Sequence, residues 1–63
     1  MNTVEIEIKM NALINQIKAT TPGTKARGEI SYGVLKFIQD VQNDLSFAEA
    51  DAIRGKLLEA LRK

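Results

Sequence analysis

The sequence contains no cysteine and no histidine. Without cysteine, no disulfide can stabilise the chain and a thiolate zinc site is excluded. Without histidine, the usual imidazole ligand for metals is missing as well. The serines lie in no nucleophile motif. We therefore predict no catalytic, cofactor-binding or metal-binding residues, and we expect that the protein is not an enzyme.

The chain also lacks a large charge of either sign. Nine Lys and Arg residues oppose eight Asp and Glu residues, which gives a net charge of +1. Many nucleic-acid binders carry a strong basic excess, and that excess is missing here. No apolar run approaches the ~20 residues that span a membrane, and Glu5 and Glu7 stand where a signal peptide would be basic. We expect a cytoplasmic protein, in the host cytoplasm if the source is viral, with no membrane partner.

Proline is scarce, and it marks one turn. The only proline precedes a glycine, at Pro22-Gly23, which is a strong signal for a turn of type II character. Thr24 is placed to cap a helix that follows this turn. At 63 residues the chain predicts one domain, 1–63, near the lower limit of independent stability.

The stretch from Glu29 to Ser46 has the most regular apolar pattern. Its apolar residues follow the i, i+4, i+7, i+8 spacing of one helix face. They are Ile30, Val34, Phe37, Ile38, Val41 and Leu45. Any compact fold of this chain must place that face inward.

Residues 2–19 fit two structures. The run from Val4 to Met10 alternates apolar and polar residues like a half-buried strand. The same region also shows helical spacing, with Ile6, Met10, Leu13, Ile14 and Ile17 on one face. Asn2 followed by Glu5 resembles a capping box with Asn in place of Ser or Thr. We favour one helix over about 3–19 and keep a strand followed by a shorter helix as the alternative.

Ser46-Phe47-Ala48-Glu49 is a Ser-x-x-Glu capping box. It predicts a third helix over about 47–61. One face of that helix carries Phe47, Ala50, Ile53, Leu57, Leu58 and Leu61. The sequence therefore predicts an all-α domain with helices at about 3–19, 27–44 and 47–61. The second and third helices would form an antiparallel hairpin through the Ser46 cap.

Two polar clusters contain groups that bind ions in other proteins. Asp40, Asp44 and Asp51 offer carboxylate oxygens to a hard cation, but they lack the closely spaced ligand loop that encloses Ca²⁺, so we interpret them as a solvated face. Lys25 and Arg27 follow the Pro22-Gly23 turn at a helix start, where phosphate can bind. The motif is not a Walker loop, and we expect both side chains to lie in solvent. Lys25 and Arg27 remain the predicted positions for any contact with an anion or nucleic acid.

The strand alternative raises the possibility of DNA binding by a ribbon-helix-helix dimer. In that fold a short N-terminal strand enters the major groove. If Val4, Ile6 and Ile8 faced the dimer core, Glu5 and Glu7 would face DNA and oppose binding. A helix-turn-helix around Ser46 would likewise present acidic residues to phosphates. A DNA-binding transcriptional regulator is therefore the alternative function, and nucleic acid is a disfavoured partner.

Four large apolar residues fall outside the predicted core faces. They are Val4, Ile8, Tyr32 and Leu35. Three short helices cannot easily bury both sides of their members, so these side chains indicate an interaction patch. We predict that the protein is a homo-oligomer, most simply a dimer, and that an unidentified protein is a further partner.

In size, composition and general character, the chain resembles the small early-region proteins of lambdoid temperate phages. No motif carries this resemblance, so it assigns no role to any residue. It implies a regulatory protein that modulates host or phage development by binding other proteins. We therefore expect a small, non-enzymatic helical protein that acts by protein–protein interaction.

Overall fold

The computed structural model describes residues 2–62 and consists of three α-helices: α1, Thr3–Ala19; α2, Lys25–Asp44; and α3, Phe47–Arg62. Each helix contacts both of the others. No strand occurs within residues 2–62. The prediction of an all-α fold with three helices is confirmed. The second helix begins at Lys25 rather than at about 27, and the third continues to Arg62.

The N-terminal region is helical because Asn2 caps it. The Asn2 side chain accepts a hydrogen bond from the backbone N–H of Glu5 at 2.8 Å, which satisfies one of the free donors of the first turn. Ile6 and Ile17 of this helix are almost completely buried. The alternative of a strand over residues 3–9 is therefore wrong, and the ribbon on which the DNA-binding interpretation depended is not present in the part of the chain that the structure describes.

One apolar core joins the three helices, and it draws on the predicted face of each. The buried apolar side chains are Ile6, Met10, Ile17, Val34, Phe37, Ile38, Val41, Ala50 and Leu57. Partly buried residues pack around them: Leu13, Ile14, Ile30, Leu45, Ile53, Ala60 and Leu61. Every residue of the predicted α1 and α2 faces belongs to one of these two sets, because a regular 3.6-residue period fixes which side of a helix is apolar.

Two residues of the predicted α3 face belong to neither set: Leu58, which is partly buried, and Phe47, which is 87% exposed. The prediction that Phe47 shares the inner face was wrong. Phe47 is the first residue of α3, and at about 100° per residue it lies roughly 60° from Ala50 around the helix axis. Because Phe47 starts the helix, no earlier turn of α3 holds its side chain against α2. The aromatic ring therefore projects from the corner between α2 and α3.

The connector between α1 and α2 is a tight turn over residues 21–24. The N–H of Thr24 donates to the carbonyl of Thr21 at 3.4 Å, and Gly23 has a φ of 85°, as the third position of a type II turn requires. The Thr24 hydroxyl then accepts from the N–H of Arg27 at 3.2 Å and caps α2. The predicted turn and the predicted cap are both confirmed.

Ser46 caps α3. Its hydroxyl oxygen accepts from the N–H of Glu49 at 3.4 Å and donates to the Glu49 carboxylate at 3.0 Å. The two side chains therefore hydrogen-bond to each other, whereas in the usual capping box the carboxylate accepts from the backbone amide of the capping residue. The carbonyl of Ser46 accepts from the N–H of Ala50 at 2.9 Å and continues the ladder into the helix.

Replacing Ser46 with alanine should lower the free energy of unfolding by about 0.5–2 kcal/mol, because the Glu49 amide loses its partner. The measurement is the urea midpoint at one fixed protein concentration. Ser46→Thr is the matched control, since threonine also caps helices and keeps the hydroxyl that donates to Glu49, and it should keep the midpoint near that of the original protein. An equal midpoint for Ser46→Ala would show that Ser46 does not stabilise α3.

Two glycine-to-alanine changes should shift stability in opposite directions. Gly23→Ala forces alanine into a left-handed conformation and should cost about 1–2 kcal/mol. Gly55 lies inside α3 and an added methyl group there meets no atom within 4 Å. Gly55→Ala should therefore stabilise the fold by roughly 0.5–1 kcal/mol. Thermal melts of the two variants, compared with the original protein, test both signs, and a stabilising Gly23→Ala would contradict the turn geometry.

Candidate interaction surfaces

The carboxylates considered as a cation site do not form one. Among residues 2–62, no three of the histidine, cysteine, aspartate or glutamate side chains come together in a group that could hold a metal ion. Asp51 instead lies 3.8 Å from the guanidinium of Arg54, one turn further along α3, and both side chains are largely exposed. An exposed ion pair of this kind contributes little to stability.

The four predicted interaction residues are all exposed. Val4, Ile8 and Tyr32 expose about two thirds of their side chains, and Leu35 exposes 54%. Single exposed apolar residues are normal on protein surfaces, whereas neighbouring ones form patches that often bind partners. The arrangement of the four residues on their helices is therefore the informative property.

Helix geometry predicts that these residues form two pairs, one on α1 and one on α2. The groove between α1 and α2 is lined from α2 by Gly33, Lys36, Phe37 and Asp40, and from α1 by Lys9, Ala12, Leu13 and Gln16. At about 100° per residue, each of the four interaction residues lies roughly 90–150° around its own helix from that lining row. The α1 pair and the α2 pair therefore face away from the groove and are not brought together across it.

The α2 pair belongs to a longer exposed stripe that has no charged residue. We define the α2 stripe as Gly28, Tyr32, Leu35, Gln39 and Gln42, all of which are exposed. The spacing of four and three residues is the 3.5-residue period of a coiled-coil seam. A chain with 27% charged residues thus leaves one side of its longest helix uncharged over four turns.

Phe47 extends this stripe at its C-terminal end. A cavity of about 560 Å³ at the corner of α2 and α3 is lined by Gln42 of the stripe and by Phe47, Ala50, Asp51 and Arg54. Phe47 was not among the predicted interaction residues, because its helical spacing placed it on the apolar face of the third helix and therefore in the core. The capping residue Ser46 could have indicated this exposure, because it makes Phe47 the first residue of α3. A residue at the first position of a helix lies at the edge of the packed face.

The two predicted cationic positions have different environments. Lys25 is exposed, as expected, but Arg27 is buried and has only 7% of its surface accessible. The expectation that Arg27 lies in solvent was therefore wrong. Its guanidinium Nη1 donates to the carbonyl of Thr20 at 3.2 Å, so Arg27 ties the start of α2 to the end of α1. The polar connector gave no indication of this contact, which spans the whole turn.

None of the helices within residues 2–62 is long and apolar enough to cross a lipid bilayer. Comparisons with known proteins add nothing to the geometry: no protein-family model matches the chain, and neither a curated protein nor a solved structure matches it.

Proposed function

We propose that this is a small, non-enzymatic helical protein that acts by protein–protein interaction, and that its first partner is a second copy of its own chain. The observation that supports this is the α2 stripe, where Tyr32 and Leu35 are exposed within a row of uncharged residues. Depletion of charge and enrichment of aromatic residues are typical of the centre of a protein interface.

Burial of the two apolar side chains supplies the driving force. Covering a leucine-sized side chain is worth roughly 1.5–3 kcal/mol, and tyrosine is often a dominant residue at interfaces because its ring has two ends, one apolar and one polar. A two-fold axis across the middle of α2 would place the same stripe of both chains face to face. Lys25, Glu29 and Lys36 border the stripe and carry both signs of charge, so the rim can be polar while the centre is dry.

The size of the molecule agrees with a second copy as the occupant. A standard interface covers about 800 Å² of each partner, which is roughly a fifth of the 4417 Å² of accessible surface of this chain. With a net charge of +1, two copies repel each other very little over long range. The apolar core is small, and chains of this length commonly gain stability from association.

The same proposal includes two finer statements, one on the fold and one on the role. Helices α2 and α3 form an antiparallel hairpin, which their mutual contact and the short connection through Leu45 and Ser46 support. The dimer is a cytoplasmic regulator that binds a further protein of the host or the phage. The support for this role is the general resemblance in size and composition to phage early-region proteins.

The self-interface predicts that Leu35→Glu dissociates the dimer, because a carboxylate at the centre of the stripe would be buried beside its symmetry mate. Sedimentation equilibrium at tens of micromolar should give a dimer mass for the original protein and a monomer mass for the variant. The melting temperature of the original protein should rise with concentration, since association stabilises the folded form by mass action. That dependence should disappear in Leu35→Glu.

Ile8→Glu is the matched control, because Ile8 is as exposed as Leu35 but lies on α1. This variant should remain a dimer. Gln39→Glu introduces the same charge at a polar, exposed stripe position and should also weaken the dimer without touching the core. A monomer mass for the original protein with a concentration-independent melt would contradict self-association. Dissociation by Ile8→Glu alone would assign the interface to α1 instead.

A further inference from the structure

Arg27 has an unusual environment for an arginine. Among residues 2–62 it is the only buried charged side chain, and buried arginines are normally paired with a carboxylate or phosphate. Here the one hydrogen bond of the guanidinium goes to a backbone carbonyl, that of Thr20. Its Nε is buried and has no hydrogen-bond partner. A buried cation with an unused donor is costly unless something neutralises it.

A cavity of about 370 Å³ adjoins this side chain. Its polar lining is Arg27, Lys18, Thr20 and Thr21, and no acidic residue lines it. Two cations therefore border one cavity without a counter-charge in its wall. Lys18 also borders a neighbouring cavity that Glu59 lines, so its charge is partly shared with that side and Arg27 is the dominant cation of the first cavity.

The remaining wall of the cavity is apolar. Ile17 and Ala60 contribute aliphatic surface, and Pro22 closes the side of the turn. The hydroxyl of Thr20 already donates to the carbonyls of Gln16 and Ile17 at 3.1 Å each. A ligand must therefore place its negative group near Arg27 and Lys18 and an apolar body against the opposite wall. A cavity of this volume with few convergent polar groups is typical of small-molecule sites.

We propose that this cavity, at the junction of α1, α2 and α3, binds a small organic carboxylate with a short apolar chain. The carboxylate lies between the side chains of Arg27 and Lys18 and supplies the counter-charge that the fold lacks. The apolar chain covers Ile17 and Pro22. Inorganic anions fill only the charged end of the cavity and bind more weakly. The site faces the junction of the three helices rather than the side of α2 that carries the stripe, and it does not depend on self-association.

Hexanoate is the probe, and its uncharged amide, hexanamide, is the matched control of the same shape. In an NMR titration of the full chain at constant ionic strength, hexanoate should give saturable shifts at Thr21 and at the Arg27 Nε–H signal. A ligand of so few atoms should bind with a dissociation constant in the millimolar range. Hexanamide and acetate should bind at least several-fold more weakly, the first for lack of charge and the second for lack of an apolar chain.

Lys18→Gln removes the exposed cation of the cavity and should weaken hexanoate binding roughly two- to fivefold, since a partly exposed ion pair contributes modestly. Lys36→Gln removes a cation from the other groove and should leave the affinity unchanged. Arg27→Gln should abolish saturable binding if the variant folds. If Arg27→Gln does not fold, the affinity of Lys18→Gln for hexanoate and the comparison of hexanoate with hexanamide test the proposal.

Three results would overturn the proposal. One is the absence of saturable shifts up to about 100 mM hexanoate, far above the expected dissociation constant. Another is equal binding of hexanoate and hexanamide, which would show an apolar pocket that does not recognise charge. The last is unchanged binding to a folded Arg27→Gln variant, which would make Arg27 only a structural link between α1 and α2.

Discussion

Burial of one apolar face from each helix is the constraint on which the whole molecule depends. The chain has no cysteine and therefore no disulfide to hold it, so its stability comes from side chains such as Ile6, Val34 and Leu57, which are completely buried. A single core shared by three short helices can cover only one side of each. The outer sides of the helices face solvent or partners. The side chains on those sides are therefore constrained by function rather than by folding.

Local hydrogen bonds position the helices so that these faces meet. Side-chain caps at Asn2, Thr24 and Ser46 satisfy donors at the start of all three helices. Two hydrogen bonds at Thr20 link α1 and α2 more tightly than a loop alone would. The Thr20 hydroxyl donates to a carbonyl in the last turn of α1, and the Thr20 carbonyl accepts from Arg27. The favourable placement of a cation at the C-terminal end of a helix adds to this contact. The connector thereby becomes a fixed wall on which a cavity can form.

The sequence predicted the elements of this fold well, and the reason is local. Helical periodicity and capping boxes depend on residues three and four positions apart, so the three helices and their inner faces could be read directly, and the alternation in residues 4–10 was outweighed by the Asn2 cap. The two largest errors concern Phe47 and Arg27. Phe47 has the spacing of the apolar face of α3, but spacing alone does not show that the first turn of a helix extends beyond the core. The burial of Arg27 depends on a carbonyl seven residues away across a turn, and no periodic pattern records such a contact.

The candidate surfaces follow from the same division between inner and outer faces. The α2 stripe begins at Gly28, directly after Arg27, so the proposed cavity and the proposed self-interface meet at the first turn of one helix. Proximity alone does not couple two sites: a carboxylate changes the dimer population only to the extent that it binds dimer and monomer with different affinity. Arg27 points into the junction of the three helices, whereas Tyr32 and Leu35 point outward, and the helix between them is held by the core on one side and by the Thr24 cap at its start. Because the two surfaces lie on different sides of this turn, we expect carboxylate binding at the proposed cavity and self-association through the proposed interface to be independent.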